Sequence, residues 1–141
     1  MIVAMGTDHR GFSLKQALIK QNKMIDWLDV GTHNNDRCNF AGFAQKVIQE
    51  IIAGKADCGV LLCGTGVGMS IVANRYKKIY AALAWNVETA RLAKEHNNAN
   101  ILVIPADYVS LETARDMIKA WLEATYLAGH YAERITEIDA I

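Results

Sequence analysis

Short apolar segments alternate with helical stripes along the whole chain, and this alternation limits the possible folds more than any other feature. The segments that predict strands are MIVAMG (1–6), IDWLDV (25–30), CGVLLC (58–63), IYAALA (79–84) and NILVIP (100–105). Several of them are apolar on both faces, which is typical of strands buried in a parallel sheet. Alternation of this kind predicts a three-layer α/β domain with a five-stranded parallel sheet.

Apolar residues at helical spacing predict the helices between these strands. The predicted helices cover residues 11–21, 41–53, 87–96, 111–123 and 128–139. A shorter helix follows the third strand and should run to about Arg75. Asn86 and Ser110 stand immediately before two of the helices, where their side chains can cap the first turn. The tryptophans fall in predicted strands or helices, so we expect structural roles for Trp27, Trp85 and Trp121.

The composition excludes several classes of function. A chain of 141 residues is long enough for one domain with its own core, which we expect to span residues 1–141. The formal net charge of +0 leaves no basic surface of the kind that binds nucleic acid or a membrane. No apolar run approaches the ~20 residues of a membrane span, and the first residues lack the features of a signal peptide.

The cysteines Cys38, Cys58 and Cys63 are odd in number, and no secretory signal precedes them. Reduced thiols and a cytoplasmic location are therefore expected. Cys58 and Cys63 are five positions apart in one predicted strand, so their side chains should point to opposite faces of the sheet. No spacing in the chain supports a metal site built from the candidate ligands His9, Cys38, Cys63 and His96.

The segment LLCGTGVGMS (61–70) joins the third strand to a helix through a glycine-spaced loop. Ligands of parallel α/β folds bind at the carboxyl ends of strands, and glycines let backbone N–H groups approach them. Met69 stands where a Walker loop or a dinucleotide fingerprint would need glycine and where a cysteine phosphatase loop would need arginine. Ser70 stands where the Walker loop would need its lysine. The segment therefore matches none of these signatures, and a plain strand-to-helix turn remains an alternative.

Two side chains near predicted helix ends are candidates for proton transfer. Cys63 precedes a helix N-terminus, which lowers the pKa of a thiol, and His96 lies at a helix C-terminus, which favours a protonated imidazole. A core cysteine and a surface histidine are the plainer interpretations. Asp8 and His9 follow the first strand and are placed to bind substrate hydroxyls or a phosphate.

Several motifs, taken in order, resemble the ribose-5-phosphate isomerase B family, which includes the galactose-6-phosphate isomerase subunits. They are GTDHRGFSLK (6–15), DVGTHNNDRCNFAGFA (29–44), LLCGTGVGMSIVANRY (61–76), KEHNNANILVIP (94–105) and AGHYAERI (128–135). The most specific pieces are CGTGVGMSIxAN and HNNAN. The resemblance implies a Rossmann-like α/β/α domain and a homodimer or dimer of dimers. Its active sites would cross the interface and need neither metal nor cofactor.

The resemblance also implies roles for individual residues. Cys63 would be the base that moves a proton between C1 and C2 of an open-chain sugar, and Thr65 and His96 would open the furanose ring. Backbone N–H groups of the loop would hold the enediolate oxygens, which stabilises such an anion by ~3–4 kcal/mol per good donor. These loop residues are Gly64, Gly66, Val67 and Gly68. Further substrate contacts would come from Asp8, His9 and Asn97.

The phosphate end departs from the family pattern. The family usually ends with Gly-Gly-Arg-His-x-x-Arg, whereas this chain has His130 and Tyr131 in place of the first arginine and the histidine. The second arginine is present as Arg134. The usual Asp-Tyr-Pro after the second strand is replaced by residues 39–41, which read Asn-Phe-Ala. Arg134 would thus bind the phosphate, helped by His9, Arg10 and His130.

Asp107 stands where the family usually has an arginine. If its carboxylate faces the phosphate, the substrate should bind more weakly than in relatives, and Asp107→Asn should lower KM. If Asp107 instead faces solvent or pairs with a neighbouring arginine, the substitution should leave KM unchanged or raise it.

The sequence therefore predicts an aldose–ketose isomerase that interconverts ribose 5-phosphate and ribulose 5-phosphate. Two alternatives remain, which are an isomerase of another sugar phosphate, such as a hexose 6-phosphate, and a non-catalytic sugar-phosphate-binding protein.

Overall fold

A computed structural model describes all 141 residues, and its centre is a five-stranded parallel sheet in the order β2-β1-β3-β5-β4. The strands are β1 (Ile2–Thr7), β2 (Asp26–Gly31), β3 (Cys58–Cys63), β4 (Ala81–Leu83) and β5 (Ile101–Pro105). The helices are α1 (Phe12–Gln21), α2 (Phe40–Ile52), α3 (Val67–Ala73), α4 (Val87–Asn97), α5 (Leu111–Glu123) and α6 (His130–Asp139), with a 3-10 helix at His9–Gly11. The predicted three-layer α/β/α fold is confirmed.

The three central strands end side by side. Thr7 at the end of β1 pairs with Leu62 of β3, and Cys63 pairs with Pro105 at the end of β5. Every residue of β3 is buried, as its continuous apolar run predicts. The loops that follow β1, β3 and β5 therefore meet at the carboxyl edge of the sheet.

Two apolar clusters cover the two faces of the sheet. Trp121 and Cys58 belong to the cluster under α1, α4 and α5, and Met69 and Cys63 belong to the one under α2 and α3. The two cysteines of β3 thus lie on opposite faces, as their spacing predicts. No helix of this protein has the length and apolar composition that crossing a bilayer requires.

Most predicted boundaries agree with the structure to within one or two residues. Asn86 caps α4 through a reciprocal capping box with Thr89, and Ser110 caps α5. Strand β4 begins later than predicted, at Ala81, because a side-chain amide and not the backbone of β5 takes the N–H of Tyr80. Asn74 bonds both backbone groups of Ala81, and the Oδ1 of Asn100 accepts from the N–H of Tyr80.

Two predictions need correction. Helix α3 ends at Ala73 rather than near Arg75, because the N–H groups of Arg75 and Tyr76 donate to carbonyls three residues back instead of four. Trp85 lies outside any helix or strand and is 61% exposed, so it does not belong to the core. It comes two residues after Leu83, the last residue of the edge strand, where no neighbouring element covers it.

Candidate active site

Hydrogen bonds between adjacent loops hold the end of β3 in place at the carboxyl edge. The backbone N–H of Ala106 donates to the carbonyl of Cys63 at 2.8 Å, and the N–H of Asp107 donates to that of Gly64 at 3.1 Å. On the other side, the hydroxyl of Thr7 donates to the carbonyl of Leu62 at 3.0 Å. Cys63 is therefore fixed from both neighbouring strands.

The Cys63 side chain is only 6% exposed. Burial raises the pKa of this thiol above its ordinary value of 9.0, and the Asp8 carboxylate raises it further. Backbone N–H groups of Gly66, Met69 and Thr65 act in the opposite direction by stabilising the thiolate. The predicted lowering of this pKa is wrong in its net direction, because burial outweighs the N–H groups at the start of the short helix α3.

The glycine loop has no room for larger residues. Gly66 has a φ of +78°, and a Cβ there would lie 2.6 Å from the side chain of Leu83. A Cβ on Gly68 would lie 2.6 Å from the ring of Phe40. Thr65 is exposed on the rim, where its hydroxyl oxygen accepts from the N–H of Val67 at 3.3 Å. The loop thus holds its backbone in place beside Cys63 and exposes the hydroxyl group of Thr65 at the surface.

The loop after β1 adds three polar side chains to this edge. Asp8 is 5% exposed, and its carboxylate accepts from the N–H of Arg10 at 3.0 Å. The Nδ1 of His9 accepts from the N–H of Cys38 at 3.3 Å. In the neutral ring the proton of His9 is therefore on Nε2, which leaves a donor for a ligand.

Asp107 forms an ion pair with Arg10. The sequence left three positions open for the Asp107 side chain, and the structure shows the one in which it pairs with a neighbouring arginine. We call Asp8, His9, Arg10, Cys63, the loop Gly64–Gly68 and Asp107 the Cys63 cluster.

The remaining candidate residues form a second group around Tyr131. The ring of His96 stacks on that of Tyr131 with 4.3 Å between centroids and an interplanar angle of 10°. The ring of His130 lies 4.1 Å from Tyr131 at 35°, and the Arg134 guanidinium lies 5.7 Å from the Tyr131 ring. We call His96, Asn97, His130, Tyr131 and Arg134 the Tyr131 cluster.

Tyr131 is the residue that sequence reasoning missed, since it entered only as a substitution for a histidine. The stacking joins positions that are far apart in the chain, and no local periodicity reports such a contact. Its one sequence signal was that an aromatic residue stands between His130 and Arg134 in a helix. A backbone bond from the N–H of Leu127 to the carbonyl of Glu95, at 3.0 Å, holds the start of this region against the end of α4.

The two clusters lie at opposite edges of the sheet within one chain. Helix α4 begins after β4, at the carboxyl edge, and runs back for 11 residues, or about 16 Å. His96 and Asn97 therefore lie at the amino edge, close to where β5 begins. The structure brings Asp8, His9 and Arg10 to Cys63, but it does not bring His96 or Arg134 there.

The family model that describes ribose/galactose isomerases matches residues 3–138. The chain belongs to this ribose/galactose isomerase family. Ribose-5-phosphate isomerase B of Escherichia coli is 36% identical over 141 residues, covering 99% of this chain and 95% of that protein. A galactose-6-phosphate isomerase subunit of Clostridium acetobutylicum is 36% identical over 128 residues, covering 89% of this chain and 74% of that one.

Solved structures agree with this family membership. Ribose 5-phosphate isomerase of Thermotoga maritima has a TM-score of 0.97 and 41% identity, with coverage of 99% of this chain and 98% of that one. Ribose-5-phosphate isomerase B of Mycoplasma genitalium, solved with bound ribulose-5-phosphate, has a TM-score of 0.92 and 30% identity. It covers 99% of this chain, and this chain covers 94% of it. The predicted resemblance and Rossmann-like fold are confirmed, and this family member is an isomerase rather than a non-catalytic binding protein.

Proposed function

We propose that this isomerase interconverts ribose 5-phosphate and ribulose 5-phosphate, with Cys63 as the base. The observation that carries the proposal is the position of Cys63, held under a glycine loop whose N–H groups favour its thiolate. Relatives named as ribose-5-phosphate isomerases cover nearly the whole chain and support the choice of substrate.

The chemistry needs one base and one oxyanion site. The Cys63 thiolate takes the proton from C2 of the open-chain aldose, and the freed electron pair forms the C1–C2 double bond while O1 gains the negative charge. N–H groups of the glycine loop stabilise this enediolate by ~3–4 kcal/mol per good donor. The proton on O2 then moves to O1, and the Cys63 thiol returns its proton to C1. The product is the ketose, and no electron acceptor is needed.

The raised pKa of Cys63 suits this role in the following way. A thiol of high pKa is less often ionised, but its thiolate is a stronger base toward a carbon acid. The buried position also keeps solvent from protonating the enediolate.

Ring opening requires groups that one chain does not bring to Cys63. Thr65 stands on the rim of the loop, whereas His96 lies at the opposite edge of the sheet. A second copy that presents its Tyr131 cluster to the Cys63 cluster would complete the site, with His96 as the acid at the ring oxygen. We therefore propose a homodimer, or a dimer of dimers, with two shared sites. Asn97 would contact the sugar, and Arg134 and His130 would contact the phosphate.

Mixed dimers test the shared site. Cys63→Ser and His96→Asn are each expected to inactivate both sites of their own homodimer. In a mixed dimer of the two variants, one site combines both substitutions and the other has neither. Half of the wild-type activity per dimer is therefore expected in purified mixed dimers. Inactive mixed dimers would contradict a site built from two chains.

A hexose 6-phosphate isomerase is the second candidate, and the galactose-6-phosphate isomerase relative favours it. Turnover of ribose 5-phosphate, allose 6-phosphate and galactose 6-phosphate by the wild-type protein distinguishes the two. We expect the highest kcat/KM with ribose 5-phosphate, and a higher value with either hexose phosphate would replace the substrate proposed here.

A further inference from the structure

Within the Cys63 cluster, an ion pair joins the loop after β1 to the loop after β5. Nη2 of Arg10 contacts Oδ2 of Asp107, although the two residues are 97 positions apart. A Cβ on Gly64 would lie 2.7 Å from Nε of Arg10 and 2.9 Å from Oδ2 of Asp107. The pair therefore lies directly against Gly64, the residue after the proposed base.

Backbone contacts fix both partners of the pair. The N–H of Arg10 is held by the Asp8 carboxylate at 3.0 Å, and the N–H of Asp107 is held by the carbonyl of Gly64 at 3.1 Å. Both side chains still face solvent, with 57% of Arg10 and 32% of Asp107 exposed. The guanidinium thus has a fixed position while its other N–H groups remain open to a ligand.

The other charges of the Cys63 cluster are mostly negative, so the positive charge of Arg10 matters for binding an anionic substrate. Asp8 and Asp107 place two carboxylates in the Cys63 cluster, and the proposed base adds a third negative charge when it ionises. Arg10 is the arginine among them, and His9 accepts from Cys38 through Nδ1, which leaves its Nε2 for a ligand. An anionic substrate entering beside Gly64 would meet repulsion here if Arg10 were absent. Its remaining N–H groups can form a fork with phosphate oxygens.

We propose that Arg10 is a specificity-determining residue that binds the phosphate of the substrate beside Gly64, and that Asp107 is the positioning residue that holds it there. This inference rests on the proposed sugar-phosphate isomerisation. It assigns to Arg10 the positive charge beside Gly64, where Asp107 supplies a carboxylate. Asp107 stabilises binding indirectly, because it limits the guanidinium to one position.

Three variants test the assignment, which are Arg10→Ala, Asp107→Asn and the double variant. KM and kcat are measured with ribose 5-phosphate, and the Kd of inorganic phosphate is measured by calorimetry. Loss of a charged hydrogen-bond partner corresponds to about 10- to 100-fold, so Arg10→Ala should raise both KM and Kd by at least about 10-fold. Its kcat should stay within about threefold, since a bound group away from the reacting carbons contributes uniform binding.

The other two variants separate positioning from charge. Asp107→Asn should raise KM by about two- to fivefold, because Arg10 keeps its charge but loses its support. The double variant should bind better than Arg10→Ala, because no unpaired carboxylate remains beside the phosphate. A double variant that binds more weakly than Arg10→Ala would overturn this role, because Asp107 would then support binding without Arg10. Asp107→Asn with a lowered KM would overturn it as well.

Arg115→Ala is the matched control, since Arg115 is a partly exposed arginine paired with Asp116 in α5. It should change neither KM nor the phosphate Kd. Arg10→Ala with both values within twofold of the wild type would overturn the proposal, as would a loss confined to kcat. If the wild-type protein fails to turn over ribose 5-phosphate, the proposed substrate fails, while the phosphate Kd still decides the role of Arg10.

Discussion

The Cys63 cluster and the Tyr131 cluster are built in different ways. The first consists of loops attached to three buried strands, and its central side chain is 6% exposed. The second consists of partly or fully exposed side chains on α4 and α6, held by ring stacking around Tyr131. The backbone of the Cys63 cluster therefore has little conformational freedom, whereas the Tyr131 cluster consists of side chains on the surface.

This difference follows the chemistry that we propose for each region. Proton transfer needs a fixed distance between base, oxyanion donors and carbon, and the sheet supplies that rigidity. Phosphate binding depends mainly on positive charge, and different side chains can supply that charge. The departures at His130 and Tyr131 fall in the Tyr131 cluster, and the one at Asp107 falls beside Arg10, which we propose as a phosphate ligand in the Cys63 cluster. Cys63, Thr65 and His96, which we propose for proton transfer and ring opening, show none.

The largest effect should come from Cys63→Ser. A serine hydroxyl has too high a pKa to act as the base, so kcat should fall by ~10²–10⁴ while substrate binding stays close to normal. Steady-state kinetics together with calorimetric binding measure the two quantities. Cys38→Ser is the matched control, because Cys38 donates to His9 through its backbone N–H, which serine keeps. Retention of more than about a tenth of the wild-type kcat would remove Cys63 from the role of base.

The pH dependence of kcat/KM should report the high pKa of the buried Cys63. The reactive form is the thiolate, and the pKa of Cys63 lies above 9.0 because of burial, so only a small fraction is ionised at neutral pH. Below that pKa, kcat/KM should rise about tenfold per pH unit. The rise should continue past pH 9, measured within the range where circular dichroism shows a folded protein. A plateau below pH 8 would mean that another group supplies the base, because kcat/KM reports the pKa of the free enzyme.

The smallest effects should come from Tyr131. Tyr131→Ala removes stacking on His96 and the ring beneath Arg134, so kcat/KM should fall by about 3- to 10-fold. Tyr131→Phe keeps the ring and should stay within about twofold of the wild type. An equal loss in the two variants would instead assign a direct role to the hydroxyl group of Tyr131.

Local patterns predicted the fold well because they report burial directly. The continuous apolar run of β3 predicted its exact bounds as a buried strand, and α5 likewise begins and ends where its pattern predicts. Predictions failed where side chains replaced backbone pairing or where a neighbouring element was missing. Asn100 takes the N–H of Tyr80 and shortens β4, and Trp85 lies beyond the edge strand without cover.

The candidate site divides in the same way. Motif resemblance identified Cys63, Thr65 and His96 as a group, but no motif says on which edge of the sheet each one lies. The reversal of direction along α4 separates His96 from Cys63 within one chain, which is why the proposed site requires two copies.

The sequence by itself determined where strands and helices alternate along the chain and which residues cap the helices. It also determined that Cys58 and Cys63 lie on opposite faces of β3. All of these depend on residue spacing within or next to one element. The tertiary structure alone decided the pairing of Arg10 with Asp107, the stacking around Tyr131 and the net direction of the Cys63 pKa. Each of these depends on which loops the strand order β2-β1-β3-β5-β4 brings together. Charge pairing and burial act through space, between residues whose separation along the chain carries no information about their distance.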